Sequence, residues 1–379
     1  MILIFVATGI FLIYAAVIFR YTRTLYGMKP YKTRAKDAYN IFVSILIPIR
    51  NEADNIPALL ADLARQTFPK HLFEIIIIDD HSTDDSIPRI REFQKNHPEI
   101  MLQIIENKQD NKISSFKKNA ITEGIKVAAG ELIITMDADV SAGKEYLVYV
   151  VNYYLEKNPK MITGPVGYHQ EKTLFEKLQA LEFFSLTGIT AAAVEIRKPV
   201  MCNGANLAYP KAVFTETGGF GADGFVSGDD IFLLMKIKEK YGAESIRFLW
   251  AYEAMVWTRP QPGLKDFLHQ RARWASKNKH FQKDIFSVAI TVFSVNLILV
   301  LLLAGSLFSL TYSAAFLIFQ AIKILIDYPL TKKILKFARK EYLLKYFVPL
   351  SLVYPYYIVV SAIKGMAGKF NWKERTYSK

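Results

Sequence analysis

Four long apolar runs constrain the fold of this 379-residue chain more than any other feature of its sequence. An α-helix needs roughly twenty apolar residues to cross a hydrocarbon layer about 30 Å thick. The first run, Ile2–Phe19, is uninterrupted by charge, and three more follow Phe281: Ile285–Leu303, Leu307–Ile326 and Tyr346–Ile363. The sequence therefore predicts membrane helices on both sides of a long central region.

The charges beside the first run predict its orientation. Basic residues follow it, beginning at Arg20 and Arg23, whereas a cleaved signal peptide carries its positive charges before the apolar segment. Because basic loops stay in the cytoplasm, we expect the chain after Arg20 to face the cytoplasm in a multi-pass protein of the inner membrane. The last run contains Pro349 and Pro355 between two basic segments, so a full span and a re-entrant or surface-lying segment both stay open.

Composition distinguishes a membrane partner from a nucleic-acid partner. Lys and Arg outnumber Asp and Glu by 48 to 35, which gives a net charge of +13, and 51% of the residues are hydrophobic. The basic residues crowd beside the apolar runs, so we predict a membrane and no nucleic acid as the partner. The single cysteine, Cys202, excludes an internal disulfide and a cysteine-based zinc site, and it favours a reducing compartment.

The central region alternates short apolar runs with amphipathic segments, as an α/β layer fold requires. We predict strands at 41–48, 73–79, 101–106 and 131–136, separated by helices at 51–66, 83–96 and 115–129. Strands that are apolar on both faces indicate a parallel sheet covered by helices. Ligands of such sheets bind at the carboxyl ends of the strands, so polar residues at those ends are the first candidates for a site.

One acidic pair, Asp137 and Asp139, follows the predicted strand 131–136. In extended backbone, residues two apart point the same way, so both carboxylates can face one site. Two neighbouring carboxylates repel unless a cation or a proton lies between them. Although a solvated turn is the ordinary alternative, the position after a buried strand favours a ligand site that holds Mg²⁺ or Mn²⁺ and a diphosphate.

A second acidic pair, Asp79 and Asp80, ends the predicted strand 73–79. The adjoining segment, Ser82–Asp85, is typical of a helix N-cap, with Ser82 or Thr83 as the capping residue. That interpretation does not explain two acids at the strand end itself. A carboxylate there can accept hydrogen bonds from a base or a ribose.

Two motifs follow in the second half of the central region. Asp229 and Asp230 precede an apolar run, where they are either an N-cap or a carboxylate that serves as general base. Gln270, Arg273 and Trp274 lie on a predicted helix, where Arg can pair with phosphate and Trp can offer a flat face to a sugar. The apolar stripe of the same helix predicts that it lies against the cytoplasmic leaflet.

Taken in order, these motifs resemble those of the family 2 glycosyltransferases, inverting enzymes with the nucleotide-diphospho-sugar-binding α/β fold called GT-A. The resemblance runs from Ser44 to Trp274 and implies a Rossmann-like mixed sheet with flanking transmembrane helices. It implies a donor pocket lined by Pro48, Arg50, Glu52, Asp79, Asp80 and Lys117, and a metal and diphosphate site at Asp137 and Asp139. It also implies that Asp230 is the catalytic base and that Gln270, Arg273 and Trp274 belong to the catalytic site.

Two segments match the family less completely or add to it. Lys117 is similar to the lysine of a Gly-Lys motif, but Phe116 and Thr122 stand where that motif has Gly and Asn. Asn203–Asn206 resembles the family's segment beneath the acceptor, where Gly204 would allow close approach.

The resemblance implies metal-dependent transfer of a hexose or N-acetylhexosamine from a UDP-sugar to a membrane lipid or lipid-linked acceptor. The alternative is a processive polysaccharide synthase of the hyaluronan, chitin or poly-N-acetylglucosamine type, since such enzymes carry the same Gln, Arg and Trp motif. A non-catalytic sugar-nucleotide-binding subunit is disfavoured because every expected acid is present. The sequence does not indicate an oligomeric state.

The same patterns divide the chain into five segments. We predict an N-terminal anchor at 1–20, a basic linker at 21–40, a catalytic domain at 41–263, an amphipathic interface helix at 264–284, and membrane or re-entrant segments with a basic tail at 285–379.

Overall fold

The chain folds into two compact units in the computed structural model, which describes residues 2–34, 38–108, 115–220, 228–275, 283–366, 369–372 and 375–378. The first, called the sheet unit, comprises Lys29–His169 and Val194–Arg259. The second, called the helix unit, comprises Met1–Met28, Gln170–Ala193 and Pro260–Lys379.

Ten strands belong to the sheet unit: β1 (Val43–Ile49), β2 (Phe73–Asp79), β3 (Met101–Glu106), β4 (Leu132–Thr135), β5 (Ser141–Ala142), β6 (Met161–Thr163), β7 (Val166–Tyr168), β8 (Leu207–Pro210), β9 (Ile246–Phe248) and β10 (Val256–Thr258). Seven form one sheet in the order β3-β2-β1-β4-β8-β6-β9, and three form a smaller sheet in the order β5-β10-β7. Strands β1 to β4 run parallel, whereas β8 is antiparallel to its neighbours β4 and β6. The mixed α/β sheet of the GT-A fold is therefore confirmed.

The helices are α1 (Ile2–Gly27), α2 (Ile56–Ala64), α3 (Ser86–Asn96), α4 (Phe116–Val127), α5 (Tyr146–Lys157), α6 (Leu174–Glu195), α7 (Lys211–Glu216), α8 (Asp229–Tyr241), α9 (Leu264–Ala275), α10 (Lys283–Gly305), α11 (Leu310–Phe337) and α12 (Phe347–Met366). Short 3₁₀ turns occupy Lys70–Leu72, Ala243–Ser245 and Glu341–Tyr346, and the strands β11 (Lys369–Trp372) and β12 (Arg375–Ser378) form an antiparallel hairpin.

The two central strands, β1 and β2, explain why the sheet forms where the sequence predicts it. Nine of their fourteen residues are Ile, Leu or Val, and all nine are buried. Helix α4 covers them closely, because a Cβ on Gly124 would lie 3.0 Å from Ile78 Cδ1 and 3.3 Å from Leu46 Cδ2. A glycine at this point lets the helix approach the sheet.

Helices α2 and α3 begin later than predicted. Asn51 has a left-handed backbone with φ +53°, so it cannot be the start of a helix. Its side-chain oxygen accepts a hydrogen bond from the backbone N–H of Thr83 at 2.8 Å, and its own N–H donates to Ser82 Oγ at 3.0 Å. Ser82 and Thr83 therefore join two loops instead of capping α3, and the prediction that one of them is the N-cap is wrong.

The helix unit contains all four helices of the described residues that are long and apolar enough to span a membrane: Ile2–Gly27, Ile285–Gly305, Leu310–Phe337 and Glu341–Gly365. They agree with the four predicted runs, and α11 continues beyond the predicted run Leu307–Ile326 to Phe337. Ser309 caps its start, since its hydroxyl accepts from the N–H of Thr311 at 3.3 Å.

Most of helix α6 belongs to the helix unit, which includes Gln170–Ala193. Within this unit, Glu182 of α6 forms a buried ion pair with Arg271 of α9 at 2.6 Å.

Candidate active site

Three parallel strands bring the predicted acids to one edge of the sheet. Ile49 of β1 lies opposite Asp79 of β2, and β4 runs on the other side of β1. The backbone N–H of Met136 donates to the carbonyl of Leu46 at 3.1 Å, which holds the segment before Asp137 in line with β1. The carboxyl ends of β1, β2 and β4 therefore carry the candidate site, as strand-end reasoning predicted.

A buried network fixes Asp80 at this edge. Arg50 Nη1 donates to the backbone carbonyl of Asp80 at 2.7 Å and lies 3.7 Å from its Oδ2. Asn107 Nδ2 donates to Asp80 Oδ1 at 2.8 Å, and Asn119 Nδ2 donates to Asn107 Oδ1 at 2.8 Å. The side chain of Arg50 is 19% exposed, so the network reaches solvent at this arginine.

Asp79 and Glu52 make local hydrogen bonds at the same edge. Asp79 Oδ1 accepts from the backbone N–H of Ser82 at 3.1 Å, which turns the chain after β2. Glu52 Oε2 accepts from Asn55 Nδ2 at 2.8 Å, just before α2. Pro48 is half-buried within β1. The roles of these three residues in the donor pocket stay a prediction.

Lys117 joins two acids that are far apart in the sequence. Its ammonium donates to Asp137 Oδ1 at 2.6 Å and lies 3.3 Å from Asp229 Oδ2. Burial opposes its charge, but the nearby carboxylates of Asp137, Asp229 and Asp230 outweigh that effect and raise the pKa of Lys117. This lysine therefore stays protonated and links the end of β4 to the start of α8.

Gly204 lies directly against this bridge. A Cβ at this position would come 2.9 Å from Asp229 Oδ2, 3.4 Å from Lys117 Nζ and 3.6 Å from Asp230 Cβ. The hydroxyl of Thr135 donates to the carbonyl of Gly204 at 3.2 Å, which ties the glycine to the end of β4. The absence of a side chain at Gly204 therefore lets the 203–206 segment lie close to the acids.

Helix α8 begins with the two acids, and its cap is Gly228. This glycine has a left-handed backbone with φ +93°, and Asp229 and Asp230 are the first two helical residues. The N-cap interpretation of the acids is thus wrong, although both remain favourable at the positive end of the helix. Asp229 Oδ2 faces Lys117, whereas Asp230 Oδ1 accepts from the N–H of Ile231 at 2.8 Å.

The pair Asp137 and Asp139 fits a divalent cation that also binds phosphate. Both side chains reach solvent while the residues between and beside them, Met136, Ala138 and Val140, are buried. Within the described ranges, no group of three or more His, Cys, Asp or Glu side chains is arranged to hold a metal ion. Mg²⁺ commonly takes only one or two carboxylates and completes its octahedron with substrate phosphates and water, so two acids suffice.

The predicted motif Gln270, Arg273 and Trp274 lies on α9 in the helix unit, and all three side chains are half-buried. The stripe of α9 that was expected against the leaflet, formed by Leu264, Phe267, Leu268, Arg271 and Trp274, instead faces protein at its centre. Phe267 is 4% exposed and Arg271 is 5% exposed. The prediction for α9 is wrong at these two positions, because Phe267 packs against the rings of Phe175 and Tyr357 within the unit.

Two residues that the structure places in these networks, Asn107 and Glu182, were not identified from the sequence. Asn107 directly follows β3, so the strand-end rule that selected Asp79 would have selected it too. Glu182 gave no signal, since its partner Arg271 lies 89 residues further along the chain. Only the fold shows that these two charges meet.

Acidic and basic side chains meet at the carboxyl edge of a mostly parallel sheet, which is where folds of this kind bind their ligands. The chain belongs to the glycosyltransferases: the model of the family described as glycosyltransferase like family 2 matches residues 40–277. The matched region begins just before β1 and extends past the end of α9.

Curated relatives and a solved structure agree with this family. Poly-β-1,6-N-acetyl-D-glucosamine synthase of Staphylococcus epidermidis is 26% identical over 242 residues, which cover 62% of this chain and 53% of that protein. The synthase of Staphylococcus aureus strain MSSA476 is 25% identical over 253 residues, covering 66% and 58%. The chain thus spans little more than half the length of these relatives.

The fold similarity extends further than the sequence similarity. A mannosyltransferase from Pyrobaculum calidifontis, solved in complex with GDP-Man and Mn²⁺, has a TM-score of 0.62 to this chain, with 19% identity over 96% of both chains. At this identity the likeness establishes a shared fold.

Proposed function

We propose that this glycosyltransferase is bound to the inner membrane and transfers a hexose or N-acetylhexosamine from a UDP-sugar to a membrane lipid or lipid-linked acceptor, with inversion and with a divalent cation. The observation that carries the proposal is the bridge from Asp137 through Lys117 to Asp229, directly beside Asp230 and Gly204. It gathers fixed charges of both signs at the ligand-binding edge of the sheet. The four membrane-length helices found among the described residues support an acceptor that resides in a bilayer.

The donor would lie along the edge formed by β1, β2 and β4. Asp80, Asp79 and Arg50 are candidates to contact the nucleoside, and the network of Asn107 holds Asp80 in one orientation. Asp137 and Asp139 would hold Mg²⁺ or Mn²⁺, which neutralises charge on the diphosphate as it leaves. Lys117 adds a fixed positive charge that remains at neutral pH.

Asp230 is the better candidate for the general base of the two acids. Asp229 Oδ2 lies 3.3 Å from the ammonium of Lys117, so this carboxylate is already engaged in the bridge. Asp230 would accept the proton of the acceptor hydroxyl while that oxygen attacks the anomeric carbon. The bond from this carbon to the diphosphate breaks, UDP leaves from the opposite face, and the configuration inverts.

The relative direction of α1 and α11 supports a cytoplasmic location for the basic residues that follow the apolar part of each helix. Phe11 of α1 contacts Phe319 of α11 with ring centroids 4.7 Å apart, and Tyr26 further along α1 donates to the carbonyl of Pro329 further along α11 at 3.5 Å. The helices therefore run in the same direction, and the basic residues after each apolar part lie at the same end. The positive-inside rule assigns that end to the cytoplasm.

Processive synthesis of an N-acetylglucosamine polymer is the second candidate. It is favoured by the curated relatives, which are poly-β-1,6-N-acetyl-D-glucosamine synthases. Lipid transfer adds one sugar to each acceptor, whereas a synthase adds many, so product size separates the two functions.

A product assay tests the proposal directly. The full chain in lipid vesicles would be supplied with UDP-glucose, UDP-N-acetylglucosamine and GDP-mannose separately, together with a bacterial polar lipid extract, and products would be sized by mass spectrometry. A UDP-sugar-dependent lipid carrying a single added sugar is expected. A ladder of sugars would identify a synthase, and use of GDP-mannose alone would correct the nucleotide.

Gly204→Ala is expected to lower turnover by about tenfold or more with little loss of thermal stability, because displaced catalytic groups lose their alignment. The added Cβ would come 2.9 Å from Asp229 Oδ2 and push the end of that side chain away from Lys117. The matched control is Gly143→Ala, where a Cβ would meet only ordinary contact at 3.8 Å from the carbonyl of Glu253. Equal turnover in both variants would contradict the importance of the bridge.

A further inference from the structure

A buried ion pair lies next to the Gln, Arg and Trp motif of α9. Arg271 Nη2 donates to Glu182 Oε2 of α6 at 2.6 Å, and Arg271 Nε donates to the same oxygen at 3.2 Å. Arg271 is 5% exposed and Glu182 is 3% exposed. Removing two charges from water is costly, and a buried pair is weak as a source of stability. However, the planar guanidinium donates from both Nε and Nη2, and two such hydrogen bonds fix the orientation of the Arg271 side chain.

The same guanidinium contacts two residues of the motif. Arg271 Nη1 donates to Gln270 Oε1 at 2.6 Å, so the amide oxygen is directed to the arginine and the NH₂ group is directed away from it. The centre of the guanidinium lies 4.3 Å from the ring centroid of Trp274 and 4.5 Å from that of Phe267. Arg271 thus stacks on both rings, at distances suited to cation–π attraction.

The ring of Trp274 is held from a second side by α6. Phe183, the neighbour of Glu182, has its ring centroid 6.2 Å from that of Trp274 at an angle of 37°. One turn of α6 therefore supplies both the carboxylate that orients Arg271 and an apolar contact for Trp274. Without the carboxylate, the guanidinium would lose its fixed plane and the indole would lose the cation stacked on it.

We propose that Arg271 and Glu182 are positioning residues for the reaction: Glu182 orients the Arg271 guanidinium, which in turn sets the side chains of Gln270 and Trp274. This inference rests on the proposed function, in which Gln270 and Trp274 contact the substrates. It predicts that loss of the Glu182 charge acts on acceptor use through Trp274 and leaves nucleotide binding nearly intact.

The first arm of the test measures the position of Trp274 without any reaction. Acrylamide quenching of tryptophan fluorescence would be compared in the full chain and in Glu182→Gln, each with and without Trp274→Phe, so that the difference isolates Trp274 among the four tryptophans. Glu182→Gln is expected to increase the quenching of Trp274. Unchanged quenching would overturn the proposal, whatever the product assay yields.

The second arm is a double-mutant cycle on kcat/KM for the acceptor, with UDP affinity measured beside it. Transfer would be followed from UDP-glucose or UDP-N-acetylglucosamine to lipid of the bacterial extract. Glu182→Gln is expected to lower kcat/KM by about tenfold in the natural background but only slightly in a Trp274→Ala background, because the two residues act in series. Equal losses in both backgrounds would indicate a general structural role and overturn the proposal.

Two further variants keep the test decisive if Glu182→Gln folds poorly. The double variant Glu182→Leu with Arg271→Met removes both charges, which often leaves stability unchanged, and it should still lose acceptor use. Glu171→Gln is the matched control, since Glu171 is a 3% exposed carboxylate in the same unit that pairs with Lys340 at 2.9 Å. Its Trp274 quenching and kcat/KM should equal those of the natural chain. A double variant with full activity, or a control with the same losses as Glu182→Gln, would refute the assignment.

Discussion

Asp230→Asn is expected to lower turnover by about 10² or more, the usual effect of losing a positioned general base. The amide keeps the shape of the carboxylate but cannot take the proton of the acceptor hydroxyl. Affinity for UDP should remain nearly unchanged, since Asp230 is proposed to act on the acceptor. Turnover with the identified donor and calorimetric binding of UDP would measure the two quantities separately.

Asp229→Asn is the control for this prediction. Asp229 pairs with Lys117 at 3.3 Å, so its loss should weaken the bridge and reduce turnover less than the loss of Asp230. If Asp229→Asn were inactive and Asp230→Asn active, the assignment within the pair would be reversed. If Asp230→Asn lost UDP binding in the same proportion as turnover, Asp230 would be a donor ligand.

Removal of divalent metal is expected to abolish transfer and to weaken donor binding strongly. Without a cation, the carboxylates of Asp137 and Asp139 would repel the diphosphate, and Lys117 alone carries too little charge to offset them. Transfer and UDP-sugar binding would be measured with EDTA and after addition of Mg²⁺ or Mn²⁺. Donor binding that survives EDTA unchanged would refute the metal assignment.

Substitutions of the two proposed metal ligands give the same test without a chelator. Asp137→Asn and Asp139→Asn should each weaken donor binding and raise the metal concentration needed for activity. Asp54→Asn is a suitable control, because its carboxylate is 93% exposed and lies 3.8 Å from Arg89 on the surface. A surface carboxylate of this kind contributes little, so this control should behave like the natural chain.

Lys117 lies where a bound cation and the donor diphosphate would also be held. Its ammonium already contacts Asp137, a proposed ligand of the cation that accompanies the diphosphate. Like charges at short range repel, so a cation bound at Asp137 would favour movement of the lysine toward Asp229 or toward a phosphate oxygen.

Local patterns in the sequence determined the outline of the protein. Continuous apolarity over about twenty residues predicts helices of membrane length, and all four runs became such helices. The strands 73–79 and 101–106 have the predicted bounds, and the acids at strand ends reached one edge of the sheet because parallel strands end together. These features depend on neighbours in the chain, so one sequence is enough to read them.

Tertiary structure alone decided which charges meet. Nothing near Lys117 indicated that Asp229 would share its ammonium, because their contact depends on how the start of α8 is placed beside the end of β4. The stripe of α9 was compatible with a lipid surface or with protein, and only the position of α6 made Arg271 a buried partner of Glu182. Amphipathic spacing fixes which face of a helix is covered, whereas the identity of the covering element depends on contacts between segments far apart in the chain.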